Sequence, residues 1–171
     1  MKEFSKNALA VARRLHAAIP RSGKKSSKPD SEGLIDSTLV EGTRLAFLTI
    51  VIDQINGPFE HEWYDASAVM LRRLIETLII EAYVQNGIES KVKDSNGDFF
   101  LLADLVVHAR NEPVFNLSRN TKKLLTQLKK LGDLSAHNRR FNAKRKYMDN
   151  LAGNFYLDIQ TLVKEFVDLA Q

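Results

Sequence analysis

The feature that most constrains the fold is a stripe of apolar residues within segment 61–86. Its side chains recur three and four positions apart, which is the spacing of one face of an α-helix. The stripe consists of Leu71, Leu74, Ile75, Leu78, Ile79, Ala82 and Tyr83. A helix with one apolar face must bury that face against other elements, so the pattern predicts a protein built from packed helices.

Other segments show related spacing. A helix is expected from Asp36 or Ser37, either of which can cap it, to about Ile55, with a break at residues 56–58 (NGP). The β-branched run 49–52 also suits a strand, but the chain offers no second run to pair with it. Further helices are predicted over 98–110, with Asp98 as the cap, over 118–131 and over 144–170. The predicted fold class is therefore all-α, an up-and-down helical bundle of about five helices with a flexible basic N-terminal arm.

The first 33 residues differ in composition from the rest. Residues 4–19 have helical spacing, which indicates a short surface helix or an amphipathic targeting helix, and Pro20 ends it. Residues 20–33 (PRSGKKSSKPDSEG) are rich in Ser, Gly, Lys and Pro and predict a flexible linker. We therefore divide the chain into a basic N-terminal helix and linker, 1–33, and a helical bundle domain, 34–171.

Composition excludes several classes of protein. The chain has no cysteine, so disulfides, thiolate nucleophiles and Cys-based metal sites are excluded, which fits a cytoplasmic location. No apolar run approaches the roughly 20 residues that span a bilayer, so no membrane contact is expected. There is no phosphate-binding glycine loop, and no two histidines lie three or four positions apart. We expect neither a metal nor a cofactor.

Charge is unevenly distributed along the chain. Segment 31–118 holds fourteen acidic and six basic residues, whereas segment 119–146 holds ten basic residues and one acidic residue. A basic segment of this kind attracts phosphate backbones, or it pairs with the acidic face of a second subunit. The sequence leaves both interpretations open.

The basic segment 119–146 contains one acidic residue, Asp133, and the residues around it are the main candidates for a functional site. Asp133 and His137 lie one helical turn apart, so the carboxylate is a candidate to orient the imidazole as a general acid or base. The alternative is a purely structural pair at a helix end. Candidate contacts to phosphate or RNA around them are Lys130, Asn138, Arg139 and Arg140.

A second polar pair lies on the predicted central helix. Arg72 and Glu76 are four positions apart, which is the spacing of an intrahelical salt bridge worth a few tenths of a kcal/mol. The alternative is that the pair is buried and organises the interior of the bundle.

Two stretches, VMLRRLIETLIIEAYVQNG and LKKLGDLSAHNRRFNAKRKYMDNL, resemble the bacterial DUF4145 family, which is related to the HEPN superfamily of helical bundles. The resemblance covers about residues 60–170 and rests on segments 71–76 and 132–137. It implies a helical homodimer, and many HEPN domains are metal-independent ribonucleases of defence or RNA-processing systems. His137 matches the histidine of their signature, while Lys130 stands where the signature has arginine.

Three functions follow as hypotheses. The chain is an RNA-associated or partner-binding module of a bacterial defence or regulatory system, weakly catalytic or non-catalytic, because lysine lacks the bidentate fork of arginine. Alternatively, it is a metal-independent ribonuclease in which His137 is the general acid/base. A third hypothesis, a DNA-binding regulator, rests on the basic N-terminal arm alone.

Overall fold

The computed structural model describes residues 33–150 and 154–171, which belong to one compact unit. The described residues form a bundle of six α-helices and contain no strand. This confirms the predicted all-α bundle, with one helix more than expected. The helices are α1 (Thr49–Glu60), α2 (Tyr64–Gln85), α3 (Leu102–Asn111), α4 (Arg119–His137), α5 (Arg145–Asp149) and α6 (Phe155–Leu169). The predicted N-terminal arm, except Gly33, lies outside the described residues.

Helix α2 is the centre of the bundle. Its apolar stripe is fully buried, as the spacing predicts, and it packs mainly against α1 and α4. The helix ends at Asn86, and Gly87 follows with a φ of +66°, which is the left-handed conformation typical of a residue just beyond a helix. Among the described residues, no helix has the length and apolar character needed to cross a membrane.

The first predicted helix is wrong at both ends. Asp36 caps only a 3-10 turn, Ser37–Leu39, by accepting from the backbone N–H of Thr38. Gly42 then adopts a φ of +72°, which no right-handed helix can contain. Helix α1 begins only at Thr49.

The predicted break at residues 56–58 is instead the last part of α1. The side chain of Asn56 accepts from the N–H of Ile35 at 2.9 Å and donates to its carbonyl oxygen at 2.7 Å. Phe59 is buried and contacts the rings of Tyr64 and Tyr156 edge to face. These tertiary contacts keep the final turn helical despite Pro58, which lacks the N–H that a helix interior uses.

Two other predicted helices also differ. Helix α3 begins at Leu102, because the backbone N–H of Asp98 bonds to the side chain of Asp94 in a tight loop and Asp98 caps no helix. The predicted helix over 144–170 is divided into α5 and α6, with Asn154 capping α6 through the N–H of Leu157 at 3.4 Å. Leu151 and Gly153, both assigned to that predicted helix, lie outside the described residues.

Candidate nucleic-acid interface

An open groove of about 790 Å³ lies along the C-terminal half of α4. It brings together five of the residues that the sequence singled out as candidates, from α4 and the loop that follows it. Arg72 of α2 also lines it, whereas Arg140 and Glu76 do not. The lining residues are Arg72, Leu101, Ala103, Lys129, Lys130, Asp133, Leu134, His137, Asn138 and Arg139. We call this the C-terminal groove.

Gly132 brings α2 and α4 close enough to form one wall of this groove. A Cβ atom added at Gly132 would lie 2.6 Å from the Cβ of Arg72 and 3.1 Å from the carbonyl oxygen of Ala68. Such distances leave no room for a side chain. The end predicted for this helix at residue 131 is wrong, because α4 is one helix from Arg119 to His137. The glycine serves a close helix crossing instead.

Asp133 is held by two cations from two helices. Its Oδ1 accepts from Nε of Arg72 at 3.0 Å, and its Oδ2 lies 2.7 Å from Nζ of Lys129. Arg72 also lies 3.6 Å from Glu76, so the predicted intrahelical pair is present but is one part of a larger cluster. The side chains of Arg72 and Asp133 are 29% and 32% exposed, so the cluster borders solvent and is not buried in the interior.

The two cations change the acidity of Asp133. Burial alone raises the pKa of this carboxyl, but the hydrogen bonds and positive charges of Lys129 and Arg72 outweigh burial and hold its pKa below the ordinary value. Asp133 is therefore an ionised carboxylate near neutral pH, and its charge is compensated locally.

His137 is exposed at the last residue of α4. Within the part of the chain that the structure describes, no hydrogen bond or ion pair joins it to Asp133, whose two carboxylate oxygens contact Arg72 and Lys129 instead. Sequence spacing alone did not predict the pairing of Asp133 with Arg72 and Lys129, for two reasons. Lys129 lies four residues before Asp133, as far as His137 lies after it, and Arg72 is 61 positions away in sequence.

The remaining candidates belong to the turn after α4. Asn138 accepts from the backbone N–H of Arg140 through its Oδ1 at 3.0 Å, so part of its side chain shapes the turn. Lys130 and Arg139 line the groove as exposed cations, and neither forms an ion pair with any described residue. Arg140 is exposed but does not line the groove.

Leu101 also lines the groove, although nothing in the sequence pointed to it as a candidate. It precedes α3 and is 75% exposed, which gives the groove an apolar rim beside its cations. Among the described residues, no group of three or more His, Cys, Asp or Glu side chains is placed to hold a metal ion.

Comparisons with known proteins add nothing to this geometry: no family model, no curated protein and no solved structure matches the chain. The resemblance to the DUF4145 family thus rests on its two sequence stretches alone and stays a prediction.

Proposed function

We propose that this protein binds RNA through the C-terminal groove and acts as a binding module, with weak ribonuclease activity or none. One observation carries the proposal. Asp133, the single carboxylate among the described residues that line the groove, is compensated by Arg72 and Lys129, which leaves the charges of Lys130 and Arg139 free for an external anion. A phosphate backbone is an anion that such exposed cations attract.

The mixture of groups in the groove favours a nucleotide polymer. Exposed cations suit the phosphates, and the exposed side chain of Leu101 offers an apolar contact for a base or ribose. The resemblance to the DUF4145 family adds a bacterial defence or regulatory system as the context, and a homodimer as the assembly. The defence or regulatory context and the homodimer are both parts of what we propose.

The ribonuclease hypothesis keeps one observation in its favour, because His137 lines the same groove. A histidine acid or base works best when a second group orients its ring. The carboxylate expected to orient His137 is that of Asp133, and it contacts Arg72 and Lys129 instead. We therefore propose binding as the main function and catalysis as the alternative.

The first test of the proposal is binding of a fluorescent single-stranded oligoribonucleotide, followed by anisotropy at several salt concentrations. The double variant Lys130→Gln with Arg139→Gln should bind on the order of tenfold more weakly. Its slope of log K against log salt should be shallower by about 1.4, since each phosphate contact with a single strand contributes about 0.7.

A matched control is the double variant Arg44→Gln with Lys164→Gln, which removes the same charge from residues outside the groove lining. It should bind RNA nearly as wild type does. Wild-type protein that fails to bind RNA, or equal losses in both double variants, would contradict the proposal. Capture of a protein in place of RNA would favour the partner-binding form of the hypothesis.

Catalysis is tested separately by incubating wild type and His137→Ala with RNA in EDTA and analysing the products on a denaturing gel. We expect intact RNA, or slow cleavage at most, with wild type. Efficient cleavage by wild type that His137→Ala abolishes would replace the binding proposal with the ribonuclease hypothesis.

A further inference from the structure

A second groove, of about 730 Å³, lies along the N-terminal half of α4. Among the described residues that line it, four are cations and none is a carboxylate. None of the four cations forms an ion pair with another residue in the described ranges. The lining residues are Arg110, Arg119, Asn120, Lys122, Lys123, Thr126 and Gln127. We call this the N-terminal groove.

The two grooves share one face of one continuous helix. Arg119, Lys123 and Lys130 follow one another at intervals of four and seven residues, and His137 comes seven residues later. These intervals return to almost the same side of an α-helix. The opposite side is buried, since Leu124, Leu125, Leu128 and Leu131 pack into the core. From Arg119 to His137 the shared face is about 27 Å long at 1.5 Å per residue.

Two carboxylates accept hydrogen bonds from residues at the start of α4. Asp158 accepts from Nδ2 of Asn120 at 3.4 Å, and Glu165 accepts from the backbone N–H of Ser118 at 3.2 Å. Both carboxylates belong to α6, and neither lines the groove. The described residues that line the N-terminal groove include four cations and no carboxylate, so the groove itself carries a surplus of positive charge.

We propose that the N-terminal groove is a second phosphate-binding site and that one RNA strand runs along α4 through both grooves. This inference rests on the proposed function and specifies its ligand as single-stranded RNA long enough to occupy about 27 Å of helix. Two successive concave grooves lined by cations suit a flexible single strand, whose phosphates can enter each groove in turn. A dinucleotide, which has a single internucleotide phosphate, occupies one groove at a time.

The test compares two labelled oligouridylates, a dinucleotide and a strand of about twelve nucleotides, the longer of which is within the range of known single-strand site sizes. Wild type should bind one long strand per protomer, and more tightly than the short strand. In the double variant Lys122→Gln with Lys123→Gln, the long strand should bind on the order of tenfold more weakly. Its salt slope should be shallower by about 1.4, so the advantage of length is largely lost.

The charge-keeping variant Lys122→Arg with Lys123→Arg should restore binding, and the thermal unfolding midpoints of both variants should match that of wild type. Two long strands per protomer would overturn the single-path inference. Wild-type affinity of the Lys122→Gln and Lys123→Gln variant would overturn the second site. In both cases a loss of binding in the Lys130→Gln and Arg139→Gln variant leaves the proposed function intact. If that variant keeps wild-type affinity, the proposed function itself has failed.

Discussion

The guanidinium Nε of Arg72 donates to Oδ1 of Asp133 at 3.0 Å, and this bond joins α2 to α4 across 61 positions of sequence. The same carboxylate meets Lys129 within α4. The pairing uses the only acidic residue of the basic segment 119–146, so it determines how much positive charge the C-terminal groove presents.

Removing the carboxylate should strengthen RNA binding. Asp133→Asn keeps the size of the side chain, frees the charge of Lys129, leaves Arg72 with Glu76 alone, and removes a negative charge from the groove lining. We expect a several-fold lower dissociation constant for single-stranded RNA at low salt, measured by anisotropy. Weaker binding by this variant would show that Asp133 supports the ligand site in another way.

The link between the helices should also contribute to stability. A double-mutant cycle with Arg72→Gln and Asp133→Asn should give a coupling energy of about 0.5–1 kcal/mol, because the pair is partly exposed and partly screened. Urea denaturation measures the free energies of unfolding. The i, i+4 pair of Lys164 and Asp168 is much more exposed and serves as the control, with an expected coupling of a few tenths of a kcal/mol.

The contribution of Asp133 to stability should depend on pH. Because its pKa is lower in the folded protein than in the unfolded chain, the stabilisation is complete above the unfolded value of about 3.9. It is lost as the pH falls through the folded pKa. The difference in unfolding free energy between wild type and Asp133→Asn should therefore be constant near neutral pH and shrink below about pH 4. A difference that grows in acid would contradict this assignment.

The close crossing of α2 and α4 should not tolerate a side chain at residue 132. Gly132→Ala places a Cβ atom 2.6 Å from the Cβ of Arg72, so the two helices must move apart. We expect a loss of about 1–3 kcal/mol in unfolding free energy, although alanine is the better helix former. Thr126→Ala, on the exposed face of the same helix, should change stability little. Equal stability of Gly132→Ala and wild type would show that the crossing adapts.

Tyr83 should limit stability at alkaline pH. Its hydroxyl is buried without a hydrogen-bond partner among the described residues, and burial, with the nearby negative charge of Glu112, raises its pKa to about 12. In the unfolded chain the Tyr83 hydroxyl ionises near pH 10. The contribution of the neutral Tyr83 to folding stability is therefore complete below that pH and falls as the pH rises toward 12. Tyr83→Phe should be about as stable as wild type near neutral pH and more stable than wild type above about pH 10. Thermal unfolding across this pH range measures the effect.

The fold could be predicted from the sequence where burial follows local periodicity. The apolar stripe of α2 and the start of α4 near residue 118 could both be predicted, because each depends on residues within a few turns of one another. The end of α1 could not be predicted from the sequence, because it depends on tertiary contacts. Asn56 bonds to Ile35, and Phe59 packs against Tyr64 and Tyr156. A helix-breaking residue such as Pro58 predicts the end of a helix only where no tertiary contact keeps the next turn helical.

The sequence by itself determined that this chain forms packed helices and that the exposed face of α4 is basic, because helical spacing and charge order are local properties. Only the tertiary structure decided what the polar residues do. It assigned Asp133 to Arg72 and left His137 exposed, since a carboxylate bonds to the donors that the fold brings within reach. It also made Gly132 a point of close helix contact, because the steric demand at that residue comes from α2.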